Sequence, residues 1–206
     1  MLFRSLWAAH YECERTPDPV HGILSYAQEP VPTGNDFILL FGAESAHAFA
    51  PPAPGQRDAS INENDLPMLA QRREARINLF VEEACVDGPA AAQRRRGTEL
   101  GACIQLGSFN SIDWRDEEDM ARWYAQWRLP SLKTLPGVIR VRKLVSVAGW
   151  AKHACFYEFT SLEARNEYFV HYETSRPDME AWSKEVVRRL VHATPLPIVA
   201  RRLYPE

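Results

Sequence analysis

The tightest constraint on this chain is a pair of strand-like runs separated by a glycine turn. Val138–Val147 (VIRVRKLVSV) alternates, with Ile139, Val141, Val145 and Val147 on one face and Arg140, Arg142 and Ser146 on the other. After Ala148-Gly149, His153–Phe159 (HACFYEF) resumes as an aromatic-rich run, the partner expected of a hairpin. Upstream, Gly101–Asn110 (GACIQLGSFN) also has strand periodicity. Ala102, Ile104 and Leu106 share one face; Cys103, Gln105 and Phe109 share the other. Between that run and the hairpin lies a helix signal. Asp113 and Asp116 offer caps, and Glu117, Glu118 and Asp119 put negative charge at the positive end of the helix dipole. Met120, Trp123, Tyr124, Trp127 and Leu132 follow at helical spacing, Pro130 interrupts, and Pro136-Gly137 stops the helix. Beyond the hairpin, Thr160 and Glu163 form a capping-box pattern for a short helix through about Tyr172. Ser175 and Pro177 open another helix to about His192, with Met179, Trp182, Val186, Val187 and Leu190 on its apolar side, and Ile198–Tyr204 closes as a strand.

That order, β-α-β-β-α-β, is the split βαβ arrangement of a ferredoxin-like α+β module over residues 99–206. Such a sheet carries helices on one face, and its other face needs a second sheet or water. The first half reads less clearly. Gly22–Gln28, Phe37–Gly42 and Ile77–Glu83 read as strands, Phe3–Glu12 and Leu66–Arg73 as helix, and Ala50–Asn64 as a long surface loop. Trp7…Val20-His21-Gly22 echoes Trp123…Leu135-Pro136-Gly137, and Phe41-Gly42-Ala43-Glu44-Ser45 echoes the step from Phe156 to Ser161. The expectation is two ferredoxin-like βαββαβ modules, the first degenerate over residues 1–87, a linker over 88–98 with its solvated Arg94–Arg96 run, and the second module over 99–206.

Composition narrows function chiefly by exclusion. With 206 residues, 46% of them hydrophobic, the chain can bury a core without staples. A net charge of −3 gives no pull toward nucleic acid or anionic membrane. No apolar run approaches the roughly 18 residues of a membrane span, and the N-terminal segment lacks the pattern of a signal peptide, so a cytoplasmic protein is expected. Cys13, Cys85, Cys103 and Cys155 form no CxxC pair and read as reduced structural residues. There is no GxGxxG, P-loop, GxSxG or HExxH, so no metal and no cofactor are expected.

Two stretches carry a family likeness. Met120-Ala121-Arg122-Trp123-Tyr124-Ala125-Gln126-Trp127-Arg128-Leu129-Pro130, continuing to Leu135-Pro136-Gly137-Val138, resembles the helix-and-strand signature of EthD-like dimeric α/β-barrel proteins. Phe156-Tyr157-Glu158-Phe159-Thr160-Ser161-Leu162-Glu163 is similar to the strand-to-helix step of the same family. The resemblance implies tandem ferredoxin-like modules in a dimeric α/β-barrel-type assembly, a homodimer, and a small-molecule ligand between sheet faces or beside the helices. In that family an acidic-histidine pair follows the tryptophan-tyrosine pair. Here Trp127-Arg128 stands in its place, and in the first half His10 lies about two positions out of register.

Without the family's histidine, the site is expected on the sheet. If Ile104, Ile139, Val141 and Phe156 face the helices, alternation puts Gln105, Arg140, Arg142, His153, Tyr157 and Arg202 together on the opposite face. His153 is then the candidate acid/base and Tyr157 a hydrogen-bond donor. Arg140 and Arg142 form an anion clamp, and Gln105, Arg202 and Trp123 are substrate contacts. The plainer reading of that face is a sheet interface whose arginines pair with acidic residues of the other module or subunit. His10, His21 and His47 are scattered, while His171 and His192 sit where a helix C-terminus favours an imidazolium. The function expected is cofactor-independent proton transfer on an aromatic or enolisable small molecule: isomerisation, dehydration or decarboxylation. A non-catalytic small-molecule-binding barrel and a cofactor-free or haem-dependent oxygenase are the alternatives.

Overall fold

His153–Phe159 is buried at every position, which places it in the middle of the fold. In the computed structural model, which describes residues 7–15, 28, 36–49, 64, 66–94, 100–170, 172, 180–193 and 197–205, this run is β6 of one antiparallel sheet. The other strands are β1 (Trp7–Cys13), β2 (Phe37–Gly42), β3 (Leu79–Asp87), β4 (Cys103–Ser111), β5 (Val138–Ala148), β7 (Leu190–His192) and β8 (Ile198–Tyr204). Their spatial order among the described residues is β2-β1-β8-β4-β6-β5-β3, with β7 paired to β4 beyond the end of β8. Strands from the first 87 residues therefore flank both edges of the sheet built by the later ones.

One side of the sheet carries the helices. Asp113 accepts from the backbone N–H of Arg115 at 2.9 Å, and a short turn leads into the helix Glu117–Trp123. This helix then widens into a π segment, Tyr124–Arg128, in which the N–H of Leu129 reaches back five residues to the carbonyl of Tyr124. Pro130 explains the widening, because it has no N–H to offer the carbonyl four residues earlier. A last turn, Leu132–Thr134, ends before Gly137, whose φ of +76° only glycine adopts cheaply. A Cβ there would also lie 2.8 Å from that of Ala164. The second helical segment is capped by Ser161, not Thr160: its hydroxyl accepts from the N–H of Ala164 at 3.1 Å. It runs through Leu162–Ala164 into another π segment, Arg165–Val170. The helix Glu180–Val187 packs on the first, where Trp123 Nε1 donates to Ser183 Oγ at 3.2 Å. No helix among the described residues is long and apolar enough to cross a membrane.

Both sides of the sheet hold an apolar core. Cys103, Phe109, Val141, Cys155, Tyr157 and Phe159 meet Met120, Trp123, Leu132, Phe169 and Val186 under the helices. Ala9, Tyr11, Leu100, Ile104, Phe156 and Ala200 form a second core on the opposite side, with Ile38, Leu40 and Leu144 packed against it. Phe159 has no exposed surface, so truncation to Ala costs about 3–5 kcal/mol.

Several expectations need correction. Phe3–Glu12 was expected to be helical, yet Trp7–Cys13 is a strand hydrogen-bonded to β2 and β8. Its period is two, with Ala9, Tyr11 and Cys13 buried, and pairing on both flanks outweighs local helix propensity. That strand replaces the helix from which the echo of Trp123 by Trp7 started. The last helix stops at Val187, and Leu190–His192 pairs with β4. Leu66–Arg73 reduces to one turn, Leu66–Leu69, and the strand expected at Ile77–Glu83 is Leu79–Asp87. The strand expected at Gly22–Gln28, the loop Ala50–Asn64, Arg95–Arg96 and the helix start at Ser175 and Pro177 lie outside the described residues, apart from Gln28 and Asn64 themselves.

Candidate functional site

The structure divides the expected constellation between the two sides of the sheet. Arg140, Arg142 and Arg202 lie on the side away from the helices, while Gln105, His153, Tyr157 and Trp123 lie under them. Ile104 and Phe156, expected beneath the helices, belong to the opposite core. The register explains the split. Arg142 stands opposite Phe156 and Val141 opposite Tyr157, so the phase assumed for β4 and β6 is reversed relative to β5. Alternation cannot fix that phase here, because both sides of the sheet are buried and every residue of β6 is inside.

On the side away from the helices described above, Arg140 and Arg142 are matched to carboxylates. Arg140 Nε donates to Asp87 Oδ1 at 2.6 Å, and Arg142 Nε donates to Glu82 Oε2 at 3.1 Å. Arg142 also pairs with Glu158, which is 2% exposed and accepts from the N–H of Gly101 at 2.9 Å. Tyr11 donates to the carbonyl of Gly101 at 2.7 Å, and Arg202 donates to that of Leu100. These groups tie the backbone of Leu100 and Gly101 to the sheet. Glu82 and Asp87 lie on β3, the neighbour of β5 in the same sheet, so these arginines pair along the sheet, whereas the plainer reading had them in an interface between sheets.

Under the helices lies a different arrangement. Lys143, 1% exposed, donates from Nζ to Glu83 Oε2 at 3.0 Å and sits 3.1 Å from His153 Nδ1. The ammonium also lies 5.3 Å from the centre of the Tyr124 ring. His153 is 6% exposed and stacked on Phe109 at 5.9 Å. Its Nε2 is buried without a hydrogen-bond partner, 3.7 Å from Glu117 Oε1. Burial, reinforced by the ammonium of Lys143, pulls the imidazole down to about 4, so it is neutral at pH 7. Glu117 is held through its other oxygen by Lys152 Nζ at 2.5 Å.

Further along the same side, Arg128 is buried at the end of the first π segment. Its Nε and Nη2 donate to the Tyr157 hydroxyl at 3.2 and 3.1 Å, and its guanidinium lies 5.4 Å from the Phe169 ring. Tyr157 and Tyr124 both hydrogen-bond the Cys155 thiol, whose pKa burial pushes up. Arg165, buried at the start of the second π segment, donates to Gln105 Oε1 at 3.0 and 2.6 Å. Trp123 is core: its ring packs on Tyr124 and Trp127, with Arg128 5.7 Å away. A string of polar groups thus runs from Glu117 and Glu83 through His153 and Lys143 to Tyr124, Cys155, Tyr157 and Arg128.

Glu117, Lys143, Arg128 and Arg165 were not singled out from the sequence. Lys143 had a signal, since it shares the face of Val141 and Val145 by parity, and a lysine among inward valines is costly unless paired. Arg128 had one too, standing where the resemblance places a histidine. Arg165 had none. Among the described residues no cluster of His, Cys, Asp and Glu could hold a metal ion. The chain matches no protein-family model, and no curated protein sequence is significantly similar to it.

Proposed function

We propose that the chain is a cofactor-independent enzyme that moves protons on an enolisable, anionic small molecule, by isomerisation, dehydration or decarboxylation. The observation that carries this reading is His153: a buried imidazole with an unsatisfied Nε2, beside the buried ammonium of Lys143. Buried groups with displaced titrations concentrate where proteins do chemistry. Lys143 and Arg128 supply positive charge against which an enolate would be stabilised, and the Tyr157 hydroxyl supplies a donor. All three chemistries proceed without an oxidant or a carrier.

The EthD-like, ferredoxin-like relationship belongs to the same proposal. In its support, β8-β4-β6-β5 are antiparallel neighbours, with one helical connection between β4 and β5 and another between β6 and β8. A homodimer is proposed with it. Its support is the outer strand β2, where Phe37 and Leu39 are 58% and 52% exposed.

The test is deuterium incorporation at C3 of phenylpyruvate in cofactor-free buffer, followed by proton NMR. The protein should accelerate exchange over buffer, and Arg128→Met and Tyr157→Phe should lower kcat/KM by about 10- to 100-fold. Saturable binding of α-keto acids and 1,3-diketones with no exchange would instead identify a binding protein.

A further inference from the structure

The geometry around His153 fixes which ring nitrogen carries the proton. An ammonium only donates, so Nδ1, 3.1 Å from Lys143 Nζ, must accept. A neutral imidazole then has its single N–H at Nε2, the atom left without a partner. A nitrogen that already holds a proton cannot take another from a substrate, which removes His153 as the base. Glu117 supplies what is missing. Its Oε2 is held by Lys152, while Oε1 faces Nε2 across 3.7 Å, too far for a direct hydrogen bond. The Glu117 side chain is 24% exposed whereas His153 Nε2 is closed to solvent, so Glu117 is the solvent-side member of the pair and a substrate reaches Nε2 only through a local opening beside it.

We propose that Glu117 is the catalytic base and His153 the neutral donor to the carbonyl oxygen of the substrate, a division of labour that rests on the function proposed above. Glu117 Oε1 takes the proton from the carbon next to the carbonyl. The C–H electron pair becomes the carbon–carbon double bond, and the carbonyl π pair moves onto oxygen, where Nε2–H receives it. Protonated Glu117 then returns a proton to the α-carbon as the oxygen lone pair re-forms the carbonyl, and Glu117 is again a carboxylate. No electrons are gained or lost overall. Lys143 is a positioning residue that sets the tautomer. The charged groups facing His153 are Lys143 on β5, Glu83 on β3, Glu117 on the first helix and Lys152 in the turn before β6, with Phe109 and Tyr124 as its aromatic walls.

Two measurements on the whole protein test this. Long-range nitrogen–proton NMR, with the His153 ring assigned through His153→Gln, should show a protonated Nε2 and a bare Nδ1 at pH 7. Lys143→Met should mix the tautomers. An imidazolium at pH 7, or a proton on Nδ1, would overturn the proposal. In the phenylpyruvate exchange, Glu117→Gln should be slower by at least about 100-fold with the His153 ring signals unchanged. His153→Gln, which keeps a donor, should retain more activity than His153→Ala. Wild-type exchange retained by Glu117→Gln would overturn the role of Glu117 and leave the enzyme reading standing. Wild-type protein no faster than buffer would overturn both.

Discussion

The two sides of the sheet use the same residue types to different ends. Away from the helices, Arg140 and Arg142 meet Asp87, Glu82 and Glu158, and each cation stands against a carboxylate. Under the helices, Lys143 shares its protons between Glu83 and a neutral imidazole, and Arg128 donates to a tyrosine hydroxyl over aromatic rings. Charges already matched to carboxylates hold segments in place and have little left to offer a ligand. Charges kept in a poorly solvated setting beside an unsatisfied donor have electrostatic work still available to them. With the function proposed above, the contrast assigns stability to one side and chemistry to the other.

The largest effect expected is on the arginine side. Glu158→Ala strands the Arg142 guanidinium and the N–H of Gly101, and should cost about 3–5 kcal/mol in urea unfolding without changing kcat/KM. An equal loss of exchange activity would break the division between the sides. Next comes acid. The His153 imidazole titrates near 4 when folded, below the ordinary value of 6.5, so the unfolded chain takes up its proton first. Stability is therefore full above pH 6.5 and falls as pH drops toward 4, by on the order of 3 kcal/mol, a slope that His153→Gln should flatten. Tyr157→Phe removes an acceptor of Arg128 and should destabilise by about 1–3 kcal/mol, read by thermal unfolding. Smallest is Arg140→Ala. Its pair with Asp87 is partly solvated, so the change should stay within about 1 kcal/mol.

Much of the framework after residue 100 was legible in the sequence, for identifiable physical reasons. Ile198–Tyr204 and His153–Phe159 are strands over the residues expected, and the acidic first turn at Glu117–Asp119 starts a helix. Strand periodicity and capping chemistry are local, so they can be read without tertiary knowledge. The relative phase of β4, β5 and β6 is not local. Cys103 and Ile104 are both fully buried, in opposite cores, so no hydropathy contrast marks which one faces the helices. That ambiguity grouped Arg142 with His153, although they stand on opposite sides. His153 and Tyr157 were identified from residue type and remain in the candidate site. Their partners Lys143, Glu117 and Arg128 emerged only once the register of β5 against β6 and the seat of the first helix were known.

The division between the two sides is tested most directly by comparing Lys143→Met with Arg142→Met in the phenylpyruvate exchange, each with its melting temperature. The account predicts that Lys143→Met lowers kcat/KM by about 100-fold or more, while Arg142→Met lowers the melting temperature and leaves kcat/KM within about threefold. Loss of exchange in Arg142→Met with Lys143→Met unaffected would contradict it.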